Sequence, residues 1–327
     1  MTTRRYLSLN FGDETCASTH YRILAYLPAL RNRGIEVEAI AADAFSAWDD
    51  LPNYDGVIVQ KKLFSLGRLR RIRRSARRLL YDIDDAIWLP QGRVHHWWTR
   101  LRTNWRLRAV ASQADVCVVA NRVIASHLEP FARRVEVLPM VLDESAWPPA
   151  RERNPSRSEV IVGWSGAPGN LRYLEPLEPA LVRLQARYPS LCVRVLCGQK
   201  PRWTRVRFEH IPWRPGAEAA EVGEFDIGLL PLEDTPFAAG KSPIKGLQYM
   251  ASGIPTIATP LAATCELFGE SGGALFAGTV EEWERGIESL IENPSNRQAR
   301  GAAARAHFEA RHSLEQGAIF WCKLLSS

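Results

Sequence analysis

"DESAWPPARERNPSRSE", residues 143–159, decides how the chain is read. Proline, arginine and serine crowd it, and neither a helical nor a strand period runs through it. Short apolar, β-branched runs precede it: "RYLSLNF", "IEVEAIA", "YDGVIVQ", "RLLYDID", "DVCVVA" and "VEVLP". A second series follows: "EVIVGWSG", "LCVRVLCG", "RFEHIP", "FDIGLLP", "IPTIAT" and "GALFAG". Helical patterns lie between them, such as "THYRILAYLPALRNRG" with a glycine stop at Gly34. Strands alternating with helices give parallel sheets covered on both faces. Two such series on either side of a linker predict an α/β protein of two Rossmann-like, doubly wound domains. The length of 327 residues agrees, at roughly 100–200 residues per domain. The expected division is 1–145, a linker at 146–158, a second domain at 159–305 and a helical tail at 306–327. In that tail Ile319, Phe320, Leu324 and Leu325 need a surface to cover.

No apolar run approaches the ~20 residues that cross a bilayer. The opening "MTTRRYLSLNFG" has two arginines but no long apolar region after them, so a cytoplasmic protein is expected. Six cysteines are scattered without a CxxC pair or zinc-spaced histidines, which favours reduced, buried, structural thiols. The net charge of +6 belongs to the first half: residues 1–150 hold 22 Lys+Arg against 16 Asp+Glu, and the remainder holds 20 of each. Residues 61–108 alone hold 14 basic and 3 acidic residues. Within them "GRLRRIRRSARRLLY" spaces Leu66, Leu69, Ile72 and Ala76 as a helix with arginines between, and "VHHWWTRLRTNWRLRAV" interleaves Trp97, Trp98 and Trp105 with arginines. Basic helices with tryptophan suit an anionic membrane surface, reached here through residues 66–108. Nucleic acid is the lesser reading.

In open parallel sheets ligands sit beyond the carboxyl ends of the strands, which selects four places. In "NFGDETCASTHYR", Gly12 permits close backbone approach and Ser18 or Thr19 can cap a helix whose N-terminus faces an anion. His20, His95 and His96 lie near the same end. In "YDIDDAIW", Asp82, Asp84 and Asp85 place three carboxylates at a strand end, where like charges are costly without a cation or donors. They are suited to metal, base catalysis or sugar hydroxyls. "VGWSGAPGN" carries Gly163, Gly166 and Gly169 in a G-x-x-G-x-x-G loop that leaves room for a ligand. Finally, "AGKSPIKGLQYMASGIPTIATP" contains Gly240-Lys241-Ser242, but Thr235 stands where a P-loop needs its first glycine. What it offers is Lys241 and Lys245 at i,i+4 near a helix N-terminus, a two-cation site for a diphosphate, with Gln248 one turn on for ribose hydroxyls.

At these residues the chain resembles the retaining GT-B glycosyltransferases of glycosyltransferase family 4, over nearly its whole length. The most specific part is "PLEDTPFAAGKSPIKGLQYMASGIPTIATPLAATCEL", which looks like the family's donor-binding region. "VIVGWSGAPGNLRYL" is similar to the W-x-G-S-P-x-x-x-x-YL opening of one branch, and "STHYRILAYLPALRNRGIEVE" and "YDIDDAIW" look like that branch's first domain. The resemblance implies two domains facing across a cleft, with the C-terminal helix crossing back to the first. It implies sugar transfer from a nucleotide-diphosphate sugar to a hydroxyl of a glycan, lipid-linked or small-molecule acceptor, with retention and with neither metal nor further cofactor. Asp84, Asp85, Lys241 and Lys245 are then the catalytic set. Gly12, Gly166, Lys241, Ser242, Lys245, Gln248 and Glu266 meet the donor, and His20, Asp82, His95 and His96 the acceptor. Two family glutamates eight positions apart correspond to Gly240 and Gln248, and Asp84 stands where many relatives have a histidine. The usual arginine and lysine are missing from "GWSGAPGN", which leaves Lys241 and Lys245 as the main diphosphate cations. An epimerase or phosphorylase on the same architecture, and a non-catalytic nucleotide-sugar-binding subunit, are the rival readings.

Overall fold

A computed structural model describes residues 3–89, 97–150 and 159–327. The first sheet comprises β1 (Arg4–Asn10), β2 (Ile35–Ala41), β3 (Gly56–Gln60), β4 (Leu79–Ile83), β5 (Val116–Val119) and β6 (Val135–Val137). All pair in parallel, in the order β2-β1-β3-β4-β5-β6. β3, β4 and β5 are buried along their whole length. That explains why they read as continuous apolar runs and not as alternation: helices cover both faces. The second sheet comprises β7 (Val160–Ser165), β8 (Leu191–Cys197), β9 (Phe208–Pro212), β10 (Ile227–Leu230), β11 (Thr256–Ala258) and β12 (Leu275–Phe276), ordered β12-β11-β10-β7-β8-β9 and again parallel. Chain order reverses between β1 and β3 in the first sheet and between β7 and β10 in the second. These are the switch points where ligands gather in doubly wound folds.

The chain divides into two compact units. One is Met1–Val141 with Ala239–Ser242 and Leu314–Ser327; the other is Leu142–Ala238 with Pro243–Ser313. In the first, the C-terminal helix (Leu314–Ser326) lays Ala318, Trp321, Leu324 and Leu325 into one core with Tyr6, Ile23, Tyr26, Leu30 and Ile35. Its last carbonyls, which no helical N–H can reach, are met by Arg4 Nη1 (2.8 Å) and Tyr6 Oη (2.7 Å) at Leu325 and by Arg78 Nη1 (2.6 Å) at Leu324. The crossing helix that the resemblance implies is therefore present. Its buried face uses Trp321, while Ile319 and Phe320 stay half-buried. Residues 306–313, expected to leave with it, stay in the second unit. There the helix Pro294–Arg311 buries Ala304 and Phe308, and Arg305 Nη1 donates to Trp147 O at 2.8 Å.

The expected linker loses its first residues to the same unit: Trp147 is buried and the Ala150 amide donates to Ser252 O at 2.8 Å. Residues 151–158 lie outside the described residues. The single helix expected over 19–34 is instead three short pieces, Ala17–Arg22, a 3-10 turn Leu24–Tyr26 and Leu27–Arg31. The chain turns at Ile23 (φ −130°, ψ −61°), and Pro28, with no N–H to give, opens the last piece. Of the six cysteines only Cys117 and Cys197 are buried; Cys265 is exposed, and all are free thiols.

Candidate functional site

The carboxyl edge of the first sheet holds a dense polar cluster. Asp82 and Asp84 stand two residues apart and meet side chains four residues apart on the helix Ala17–Arg22. Two strand residues and one helical turn each span about 6 Å, so the two spacings match. Arg22 grips Asp82 with Nε 3.1 Å from both carboxylate oxygens and Nη2 2.5 Å from Oδ1, and its Nη1 donates to Leu138 O at 2.7 Å. Both side chains are wholly buried. Burial drives the Asp82 carboxyl up, and the guanidinium opposes that push. Burial alone would lower Arg22, but Asp82 lifts it above its ordinary value. Asp82, expected among the acceptor contacts, is thus a structural ion-pair partner with no surface to offer.

One turn earlier Ser18 Oγ donates to Asp84 Oδ2. The helix begins at Ala17 after Cys16, so Ser18 and Thr19 lie inside it and do not cap it. Their hydroxyls serve Asp84 and the carbonyl of Gly12 (3.2 Å) instead. Across from Ser18, Lys61 follows β3 with φ 58°, the one left-handed non-glycine among the described residues. Its amide donates to Asp82 O at 2.7 Å, and Nζ lies 3.0 Å from Asp84 Oδ1 and 2.5 Å from Asp85 Oδ2. This is the cation that the triple-aspartate sequence required. Burial would lower the Lys61 ammonium, but Asp84 and Asp85 raise it. Asp85 is pushed up, first by burial and then by Asp84, against the pull of Lys61 and Lys241. The segment Ala239–Ser242 joins this unit: Ser242 Oγ donates to the carbonyl of Asp84 at 2.9 Å and Asn121 Nδ2 to that of Gly240 at 3.1 Å. Gln60 completes the cluster, with Nε2 3.2 Å from Ser18 Oγ and Oε1 accepting from the Phe11 amide at 2.9 Å. Among the described residues no group of three or more His, Cys, Asp or Glu is arranged to hold a metal ion.

In the second unit the helix runs Ile244–Ala251 after Pro243. Lys241 therefore precedes the helix, and the expected i,i+4 pair on one helical face does not form. Lys245 is in the first turn, 3.4 Å from Glu218 Oε1, and Trp213 Nε1 donates to the same oxygen. Trp213 stands 45% exposed just after β9, so an aromatic plate, a carboxylate and an ammonium share the carboxyl edge of the second sheet. Gln248 is turned inward, 1% exposed, with Oε1 lacking a hydrogen-bond partner among the described residues.

The remaining expected contacts have plainer settings. A Cβ on Gly12 would sit 2.7 Å from Cys16 Cβ, and one on Gly166 would strike the Trp164 ring at 2.3 Å. Gly166 thus makes room for Trp164, where a space for ligand was expected. Glu266 is exposed on the helix Ala262–Phe268, and His20 is exposed beside the Tyr21 ring. His95 and His96 lie outside the described residues. Sequence reading missed Arg22, Lys61, Trp213 and Glu218. The strand-end rule that selected "YDIDD" selects "VIVQKK" equally, and "HIPWRPGAE" too, had every strand end been taken.

Residues 174–323 match a family model described as glycosyl transferase-like. No curated protein matches the chain. Solved structures of similar shape include sucrose-phosphate synthase from Thermosynechococcus elongatus, with TM-score 0.72, 15% identity and 98% of each chain covered. The Anabaena protein HepE in complex with UDP and glucose gives 0.67 at 14% identity, with 99% of each chain covered. A glycosyltransferase from Rickettsia africae gives 0.66 at 11% identity, with 99% of this chain and 98% of the other covered. With its two six-stranded parallel sheets and flanking helices, the chain has the two-domain, Rossmann-like GT-B fold, and most of its second half matches a glycosyl transferase-like family model.

Proposed function

We propose that the chain is a retaining glycosyltransferase that moves a sugar from a nucleotide-diphosphate sugar to a hydroxyl of a glycan, lipid-linked or small-molecule acceptor. The observation that carries the reading is the glycosyl transferase-like match over 174–323, which includes Lys241, Ser242, Lys245 and Gln248. HepE, of the same fold, is seen with UDP and glucose, which supports a nucleotide-sugar donor.

In this reading the bond from the anomeric carbon to the diphosphate oxygen breaks as the bond to the acceptor oxygen forms. The acceptor proton passes to the departing phosphate, so no protein nucleophile is required. Lys241, Lys245 and the N-terminus of Ile244–Ala251 stabilise the charge that builds on the diphosphate, ahead of its formation and without rearrangement. Asp84 and Asp85, held by Lys61, orient hydroxyls. Lys245 first exchanges Glu218 for phosphate, leaving Glu218 and Trp213 beside the nucleotide. Thermal-shift screening with UDP-, GDP- and dTDP-sugars identifies the donor, since a ligand of the folded state raises its stability. Mass spectrometry then finds free nucleotide diphosphate and a glycosylated acceptor. Lys241→Ala and Lys245→Ala each cost about 10²–10³ in turnover, and EDTA leaves it intact. Wild-type rates in both variants, or loss in EDTA restored by manganese, refute the roles given. A cytoplasmic place on the inner face of a membrane belongs to the same proposal.

A binding subunit without turnover is the second reading, favoured by the pairing of Lys245 with Glu218 and by the inward turn of Gln248. Donor binding with no product across a broad acceptor panel selects it.

A further inference from the structure

Seven large apolar side chains stand out into solvent among the described residues, and four of them, Trp97, Trp98, Leu101 and Trp105, are on one helix, Trp97–Gln113. Each is more than half exposed, Trp98 the most at 61%. At about 100° per residue they fall within an arc of about 100°, spread along about 12 Å of helix. Leu107, Val110 and Ala111 are buried on the other side and fix the helix to the sheet. The helix is thus apolar on two opposed faces, one of which the first unit covers. Trp97 and Trp98 stack at 3.7 Å between ring centroids, which makes a flat aromatic plate. Soluble surfaces seldom group tryptophans in this way.

The surroundings are mostly basic, with Asp49 paired to Arg71 at 2.7 Å and Asp115 to Arg73 at 2.7 Å. Arg100, Arg102 and Arg108 are exposed on the same helix, and Arg70, Arg71 and Arg74 on the helix Leu66–Ser75 that packs beside it. Neither helix contains a single acidic residue. We infer that this aromatic face docks the protein on a bilayer rich in anionic lipid, with Trp98, Leu101 and Trp105 entering the headgroup–acyl boundary and the arginines meeting headgroup phosphates. Tryptophan belongs at that boundary because its ring is apolar and its N–H is not. A nucleic acid is the poorer occupant: Leu101 sits at the centre of the face, where a nucleic-acid surface would need a cation or a stacking ring.

The placement of the helix gives the docking a purpose. It follows β4 and runs back toward the start of β5, so its tryptophan half lies at the carboxyl edge of the first sheet, the edge of Asp84 and Asp85. A lipid-borne hydroxyl would then be presented at that edge. This last step deepens the transferase reading and rests on it; the docking itself rests on the patch alone.

The test uses the full chain and no nucleotide. It is sedimented with phosphatidylcholine vesicles and with vesicles that also contain phosphatidylglycerol. Wild type partitions onto the anionic vesicles, brominated acyl chains quench its tryptophan fluorescence, and the double variant Trp98→Ala/Trp105→Ala loses about tenfold or more in partitioning. Arg70→Ala/Arg74→Ala weakens the preference for phosphatidylglycerol. Circular dichroism and thermal melting verify that these exposed variants fold, and quenching of the wild type alone decides should they not. No partitioning by wild type, no quenching, or equal partitioning of the tryptophan variant overturns the inference. So does light scattering that shows the patch holding two copies together, or saturable oligonucleotide binding in place of vesicle binding. Because no donor enters the assay, its failure leaves sugar transfer untouched, and failure to bind any nucleotide-sugar leaves docking untouched.

Discussion

At φ 58° Lys61 occupies backbone space that side chains with a Cβ enter at a cost, and its ammonium lies between Asp84 and Asp85. Lys61→Met leaves two largely buried carboxylates without the cation that bridges them, and a loss of about 3–5 kcal/mol is expected near neutral pH. The loss depends on pH with a definite sign. Asp85 already titrates above the ordinary 3.8 in the folded chain, and removal of Lys61 raises it further. The folded variant then holds a proton that the unfolded chain has released, so its stability falls as pH rises through that window. Urea unfolding from about pH 4 to about pH 7 checks this: the deficit of Lys61→Met relative to wild type should widen as pH rises. A deficit independent of pH would mean that lost packing dominates. The aspartates were legible in the sequence as a cluster at a strand end. Lys61 was not, because nothing in "VIVQKK" announces a left-handed turn. Asp82 was misjudged because the strand pattern does not say which helix covers which face, and Arg22 had no mark setting it apart from other arginines.

At the scale of elements, every strand expected from the alternation of runs is present, down to the two-residue β12. Helices were less legible. The periodic stretch 19–34 breaks where Pro28 and the turn at Ile23 interrupt it, a local cost that apolar spacing does not register. In the C-terminal helix, spacing picked out Leu324 and Leu325 but passed over Trp321, its largest buried side chain. Gly317 lets this helix approach closely: a Cβ there would lie 2.5 Å from the Tyr26 ring. Trp321→Ala should cost about 3–5 kcal/mol through the cavity it leaves beside Tyr26, read as a lower denaturation midpoint with an unchanged slope. A loss under about 1 kcal/mol would show that the helix contributes little to the first unit.

At the scale of the molecule, the two sheets were readable because each βα step carries its own signal and the linker stretch separates the two series. The discontinuity of the first unit was readable only in part. The return of the C-terminal helix came from resemblance, and the insertion of Ala239–Ser242 had no signal, since four residues carry no period. The asymmetry of charge also has a place in the fold: the surplus arginines of the first half sit on two neighbouring helices, one of which carries the exposed tryptophans. The return of the C-terminal helix also governs the order of assembly. Tyr6 and Tyr26 emerge early from the ribosome, yet the residues that seal their side of the sheet, Trp321 to Leu325, emerge about 300 positions later. The first-made sheet therefore keeps one greasy flank uncovered while the second unit is synthesised.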